Sequence, residues 1–190
     1  PGVIGIEVNI SCPNVENRGL VFACDPNSAT DVIHAVKRNV SANLPIFAKL
    51  SPDVTDIALI AKAVVSAGVD GLSVINTLLG MVIDTNTLKP KLSGKTGGLS
   101  GPAIRPVAVR CVYQIRQALP NIPIIGMGGI RTGNDALEFF AACANALSVG
   151  TIVFNDPQAC VRIHNEVAEK LHEKGIHSLS EVINAAHRRN

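Results

Sequence analysis

The chain has 190 residues, 47% of them hydrophobic, and a formal net charge of +2. That length supports one sizeable core, with 1–190 as a single domain, and the near-neutral balance argues against a nucleic-acid surface or a basic membrane anchor. Aromatic residues make up 3%, too few to stack bases on, and no apolar run reaches the ~18 residues of a membrane span.

The first predicted element is a buried strand, "VIGIEVNIS" (3–11), which breaks into a loop at "CPN". An amphipathic helix follows from about Pro26 to Ser41, then the strand "PIFAKLS" (45–51). Asp53 or Thr55 can cap the next helix, which runs to Ala67. "GLSVINT" (71–77) is the third strand, and an unusually long connection leads from it to about Gly101. Pro102 opens a helix reaching Leu119. "PIIGMGG" (123–129) is the fourth strand, Thr132 to Asp135 start a helix over 135–143, "ALSVGT" (146–151) is the fifth strand, and helices fill most of 156–188. The closing "HRRN" reads as a basic helix end rather than a binding patch.

Apolar strands separated by helices indicate a parallel sheet, expected to be covered on both faces. The spacing suits the βα units of a TIM barrel. Five such units do not close a barrel of eight, so two arrangements are open: a doubly wound sheet, or a barrel lacking three preceding strands. The abrupt start at Pro1 points to the second, with this chain supplying about five C-terminal βα units.

In a parallel barrel the carboxyl ends of the strands gather on one face, where chemistry resides. The residues there are Asn9, Cys12 and Asn14 after the first strand, Lys49 on the second, Asn76 and Thr77 on the third, "GMGGI" (126–130) on the fourth, and Gly150 and Thr151 on the fifth. An Asn at a strand end is often a turn residue, and a Gly pair is often only a turn. The two late glycine turns, each before a helix, also have the form of a phosphate cradle, with backbone N–H groups and the helix dipole drawing an anion. "GGLSGPAIRP" (97–106) either lines the same ligand or only bends the chain.

A lone lysine on an apolar strand is costly unless it is used. Beside a phosphate-anchored ring, the Lys49 ammonium would stabilise charge developing on a flavin during reduction. Asn9, Asn14 and Asn76 have donors and acceptors suited to a heterocycle carrying carbonyls and ring N–H groups. Of the cysteines at 12, 24, 111, 143 and 160, Cys111, Cys143 and Cys160 read as buried and structural, and Cys24 as ambiguous. Cys12 sits at a strand end among polar neighbours and can act as a proton-abstracting thiolate. An odd cysteine count without CxxC spacing points away from disulfides and metal. Together with the absence of a signal peptide it suits a reducing, cytoplasmic setting.

The motifs "EVNISCPN", "FAKLSPD", "GLSVINTLLGM", "KTGGLSGPAIRP", "IPIIGMGGI" and "SVGT", in this order, resemble class 1 dihydroorotate dehydrogenases, most closely the NAD-linked type 1B branch. The likeness runs from the first residue to about Phe154. It implies a TIM barrel that binds FMN and oxidises dihydroorotate to orotate in pyrimidine biosynthesis. It also implies that Cys12 is the general base, removing the C5 proton while hydride leaves C6 for the flavin N5. Asn9, Asn14, Asn76 and Thr77 would hold the pyrimidine. Asn9, Lys49, Ile75, Gly101, Gly128, Gly129, Gly150 and Thr151 would contact FMN, and Ile75 is assigned by the resemblance alone.

Relatives of this kind pair as homodimers and pass electrons to a second subunit carrying FAD and a 2Fe–2S cluster, and thence to NAD. The cluster belongs on that partner, since this chain has no four-cysteine pattern. The family chain begins before Pro1, so its first strands, which carry a substrate lysine and part of the flavin pocket, are expected from elsewhere: a split gene, a partner chain or the rest of a fragment. "RGLVFA" (18–23) lacks an expected glycine, and Ala142-Cys143 stands where relatives tend to carry one. Two further readings compete. One is a flavin domain like that of dihydropyrimidine dehydrogenase, in which the residue after Cys-Pro tends to be histidine where this chain has Asn14. The other is a catalytically incomplete barrel fragment or binding remnant.

Overall fold

The computed structural model describes residues 2–11 and 24–188. In chain order, β1 (Ile6–Asn9) precedes α1 (Pro26–Asn39), β2 (Ile46–Leu50), α2 (Ile57–Ser66) and β3 (Gly71–Val74). Four short strands follow: β4 (Leu78–Met81), β5 (Ile83–Asp84), β6 (Lys89–Pro90) and β7 (Thr96–Leu99). Then come α3 (Arg105–Ala118), β8 (Ile124–Met127), α4 (Gly133–Ala141), β9 (Ala146–Ser148), α5 (Ala159–Glu173) and α6 (Leu179–Val182).

The central sheet is parallel, in the order β1-β2-β3-β8-β9. Each new strand joins the edge left by its predecessor. Right-handed crossovers then place every connecting helix on the same face, and the helices pack in sequence: α1 on α2, α2 on α3, α3 on α4, α4 on α5. A doubly wound sheet would reverse its strand order and carry helices on both faces. A sheet wound in one direction with helices outside is the wall of a TIM barrel. The expectation of helices on both faces is therefore corrected to one face, and the doubly wound alternative falls.

Strand alternation separates the two faces. Ile46, Ala48, Leu50, Leu72, Val74 and Ile124 are buried toward the helices. The register puts Glu7, Asn9, Phe47, Lys49 and Ser73 together on the other, inner face. Gly71 is required there because the Phe47 ring lies over it: a Cβ would come within 2.2 Å of Cε1.

Capping accounts for where the helices begin. Asp25 accepts from the Ser28 N–H at 2.7 Å and Pro26 opens α1. Neither Asp53 nor Thr55 caps α2. Asp56 does, accepting from the Ala58 and Leu59 N–H groups at 2.9 and 3.3 Å. The Asp53 carboxylate instead accepts from the Leu79 N–H at 3.0 and 3.2 Å, which fastens the β2–α2 loop to the base of β4. The long connection after β3 forms two antiparallel hairpins, β4 with β7 and β5 with β6. At the opposite end of the sheet the buried Arg116 donates to the carbonyls of Ile122 (2.8 Å) and Cys143 (3.1 Å), joining α3 to the approaches of β8 and β9. Among the described residues no helix is long and apolar enough to cross a membrane.

Candidate active site

A cavity of about 150 Å³ opens at the carboxyl ends of β3, β8 and β9. Ile75, Asn76, Thr77, Gly101, Gly128, Gly129, Gly150 and Thr151 all line it. These are eight of the residues selected from the sequence, drawn from three strand ends and one loop. Ser100, Ile104, Met127 and Ser148 complete the wall; none is a candidate by itself in the sequence, but Ser100 and Ile104 belong to the glycine-rich loop 97–106 and Met127 to the strand end 126–130, so that loop lines the cleft rather than only bending the chain. A second cavity of about 220 Å³ shares Gly101, Gly129, Gly150 and Thr151 and extends the cleft to Arg131, Ile152 and Asn155.

Backbone bonds set the β3 end. The Ile75 N–H donates to the Met127 carbonyl at 3.0 Å and the Asn76 N–H to the Leu50 carbonyl at 2.8 Å, so both neighbouring strands hold this turn. The Asn76 side chain then reaches across to β1, its Nδ2 donating to the Ser11 carbonyl at 2.9 Å. Thr77 packs on the hairpin: a Cβ on Gly98 would lie 2.1 Å from Thr77 Oγ1.

Asn9 and Lys49 line neither cavity. They are register partners on the inner face of β1 and β2. Asn9 Oδ1 accepts from the Ser11 N–H at 3.1 Å and from Ser11 Oγ at 2.7 Å, the turn chemistry its position allowed. Lys49 is not the isolated buried cation the sequence suggested. Its Nζ lies 3.3 Å from Glu7 Oε1, and its side chain is 20% exposed. The other carboxylate oxygen of Glu7 accepts from Ser73 Oγ at 2.6 Å. Glu7 and Ser73 were missed, although both share the alternation phase of Asn9 and Lys49. The selected Cys12 and Asn14 lie outside the described residues.

The glycine turns need one correction. Helix α4 was expected to offer free N–H groups to an anion. Instead Asp135 Oδ2 accepts from the Arg131 and Thr132 N–H groups at 2.9 Å each, and Glu166 Oε2 accepts from the Gly133 N–H at 2.6 Å. The Gly150 turn leads only into a four-residue 3-10 turn, Thr151–Phe154. The groups left for a ligand are earlier ones: no described residue accepts from the N–H of Gly129, Ile130, Gly150 or Thr151. Gly129 has φ +76, and a Cβ there would stand 2.6 Å from the Gly101 carbonyl oxygen. Arg105 bonds Asp135 and lies 3.3 Å from Glu138, bracing the same turn from α3.

A flavin mononucleotide needs a lined slot continuous with a phosphate cradle, and the cleft meets both demands. A Cβ on Gly101 or Gly150 would meet no described protein atom within 4 Å, so among the described residues the space over both glycines is open. These N–H groups, without an acceptor among the described residues, suit phosphate oxygens, which accept strongly from oriented backbone donors.

The remaining cysteines divide. Cys111 and Cys143 are buried, as expected, and burial pushes the Cys111 thiol above its ordinary range. Cys160 is exposed, which corrects its reading as a core residue. Burial first, and then the Asp53 carboxylate, raise the Cys24 thiol. Among the described residues no cluster of His, Cys, Asp and Glu forms a metal site.

The family model for dihydroorotate dehydrogenase matches residues 2–171. The chain is 53% identical over 184 residues to the dihydroorotate dehydrogenase B (NAD(+)) catalytic subunit of Geobacter sp. (strain M21), covering 97% of this chain and 59% of that protein. It is 53% identical over 180 residues to the protein of the same description from Listeria monocytogenes serotype 4a, covering 95% and 58%. The chain thus spans under two thirds of these relatives' length. Ligand-free dihydroorotate dehydrogenase from Eimeria tenella superposes with a TM-score of 0.79 at 25% identity, over 98% of this chain and 57% of that one. One-way winding, a cleft at the carboxyl strand ends and these matches agree: the chain belongs to the dihydroorotate dehydrogenase family.

Proposed function

We propose that this chain forms the flavin-binding and substrate-binding wall of an FMN-dependent enzyme that oxidises dihydroorotate to orotate in pyrimidine biosynthesis. The observation that carries this reading is the gathering of eight residues, chosen from sequence, around one cavity continuous with a glycine cradle. Gly101, Gly128, Gly129, Gly150 and Thr151 hold the phosphate and ribityl end, with Ile75 beside the ring. FMN, when bound, supplies the hydride acceptor. Asn76 and Thr77, with Asn9 and Asn14, orient the pyrimidine through its carbonyls and ring N–H groups. Cys12, as thiolate, removes the C5 proton. That role is the one the family resemblance implies for Cys12, the residue that follows Ser11 at the end of β1.

The relatives are named as catalytic subunits, which supports association with an electron-transfer subunit. FAD and a 2Fe–2S cluster belong on that partner. The rest of the proposal is a homodimer in a cytoplasmic setting, with the further barrel strands supplied from outside these 190 residues.

The test is direct. The native protein should purify yellow, with absorbance near ~450 nm, and should turn over dihydroorotate in preference to dihydrouracil. A preference for dihydrouracil would move the assignment to the dihydropyrimidine dehydrogenase type. A colourless protein that ignores added FMN would leave only a binding remnant.

A further inference from the structure

The Glu7–Lys49–Ser73 cluster is built across three adjacent strands. Lys49 pairs in register with Asn9 on one side and Ser73 on the other, and Glu7 lies two residues before Asn9 on the same face. Ser73 is fully buried. Its hydroxyl donates to one oxygen of Glu7 at 2.6 Å, and the other oxygen faces the Lys49 ammonium at 3.3 Å. Glu7 is the only ion-pair partner of Lys49 among the described residues. The serine fixes the carboxylate, and the carboxylate in turn fixes the lysine.

An ammonium held against a carboxylate presents less net positive charge to its surroundings than a free one. Glu7 also draws the ammonium back along the strand, away from the carboxyl end where Asn9 lies. We infer that Glu7 is a positioning residue that sets how much of the Lys49 charge reaches the flavin, and so tunes the potential of the bound cofactor. The inference rests on the flavin reading above, with Lys49, which lines neither cavity, acting on the ring from the inner face of β2. Reduction adds negative charge at the edge of the flavin that a cation stabilises. Removing the carboxylate therefore raises the potential, and keeping a carboxylate there preserves it.

Spectroelectrochemical titration of the native flavoprotein tests this. Glu7→Gln keeps an oxygen for Ser73 but drops the charge. The expected result is a reduction equilibrium shifted at least tenfold toward the reduced form, about 30 mV for a two-electron couple. Glu7→Asp, which keeps the charge, should remain within about threefold of the parent, near 15 mV on the same scale. An unchanged or lowered potential in Glu7→Gln overturns the inference. So does an equal shift in both variants, because that would report disturbed packing rather than charge. A native protein without flavin would sink the flavin reading itself, and this inference with it.

Discussion

Asn76 Nδ2 lies 2.9 Å from the carbonyl oxygen of Ser11, 65 residues away in sequence. This bond joins the turn after β3 to the end of β1, immediately before Cys12. Asn76→Asp removes the donor and sets a carboxylate oxygen against a carbonyl. Leaving such a group unpaired costs roughly 1–3 kcal/mol, so kcat/KM for dihydroorotate should fall about 10- to 100-fold. FMN content should hold, because the glycine cradle is untouched. Steady-state kinetics alongside flavin absorbance checks both halves, and loss of flavin with unchanged turnover per flavin would refute the assignment.

Two glycines of the cleft should respond differently to the same methyl group. A Cβ at Gly150 meets no described protein atom within 4 Å. Gly150→Ala should therefore lose less in melting temperature than the same change at Gly129 while weakening FMN binding by about tenfold, near 1.4 kcal/mol. At Gly129 the added carbon strikes the Gly101 carbonyl oxygen, and φ is +76. Gly129→Ala should lower both stability and cofactor content. Parallel thermal melts and flavin-fluorescence titrations separate the two effects.

Replacing Cys12 with Ala should slow flavin reduction by dihydroorotate roughly 10²–10⁴-fold while FMN stays bound. In the parent protein the reduction rate should climb with pH toward the ordinary thiol value, about 8.5. Stopped-flow reduction from pH 6 to 9 reads both; a flat profile or an unaffected variant would rule out a thiolate base.

Much of this was legible because strand and helix signals are local. The alternation of apolar strands with capped helices disclosed the units, and carboxyl strand ends in a parallel sheet converge whatever the loops do. That is why Asn76, Gly128 and Thr151 could be chosen from sequence. Facts that depend on register were not legible. Glu7 looks like a stray charge until β1 and β2 are aligned, and then it faces Lys49. The Asp135 carboxylate reads as a helix-start residue, which it is, but its capture of the Arg131 and Thr132 N–H groups removes the anion site that the same pattern suggested. Winding direction, which decides barrel against doubly wound sheet, is likewise a property of strand order and not of any one segment.

The contact between α4 and α5 gives the last prediction. The Gly133 N–H, and after it the Arg162 guanidinium, hold the Glu166 carboxyl below the usual carboxylate range. A carboxylate whose folded pKa is depressed contributes stability that is fully present above its unfolded value, about 4.3. That contribution is lost as pH falls through the lower folded value. Glu166→Gln keeps an oxygen for Gly133 but abolishes the titration. At neutral pH it should cost about 1 kcal/mol, a modest figure because the side chain is 30% exposed and screened by solvent. That corresponds to roughly 2–4 °C in melting temperature for a chain of this size. The gap between variant and parent should then close as pH drops below about 4. Gly133→Ala tests the same contact sterically, since its Cβ would lie 2.7 Å from the Glu166 backbone carbon and 2.8 Å from the Val167 nitrogen. Overpacking there should cost about 1–3 kcal/mol, a cost that persists in acid. Melting curves at pH 7 and pH 3.5 for both variants distinguish the charge from the fit, and a Glu166→Gln deficit that persists in acid would show that the carboxylate's charge is not what fastens the two helices.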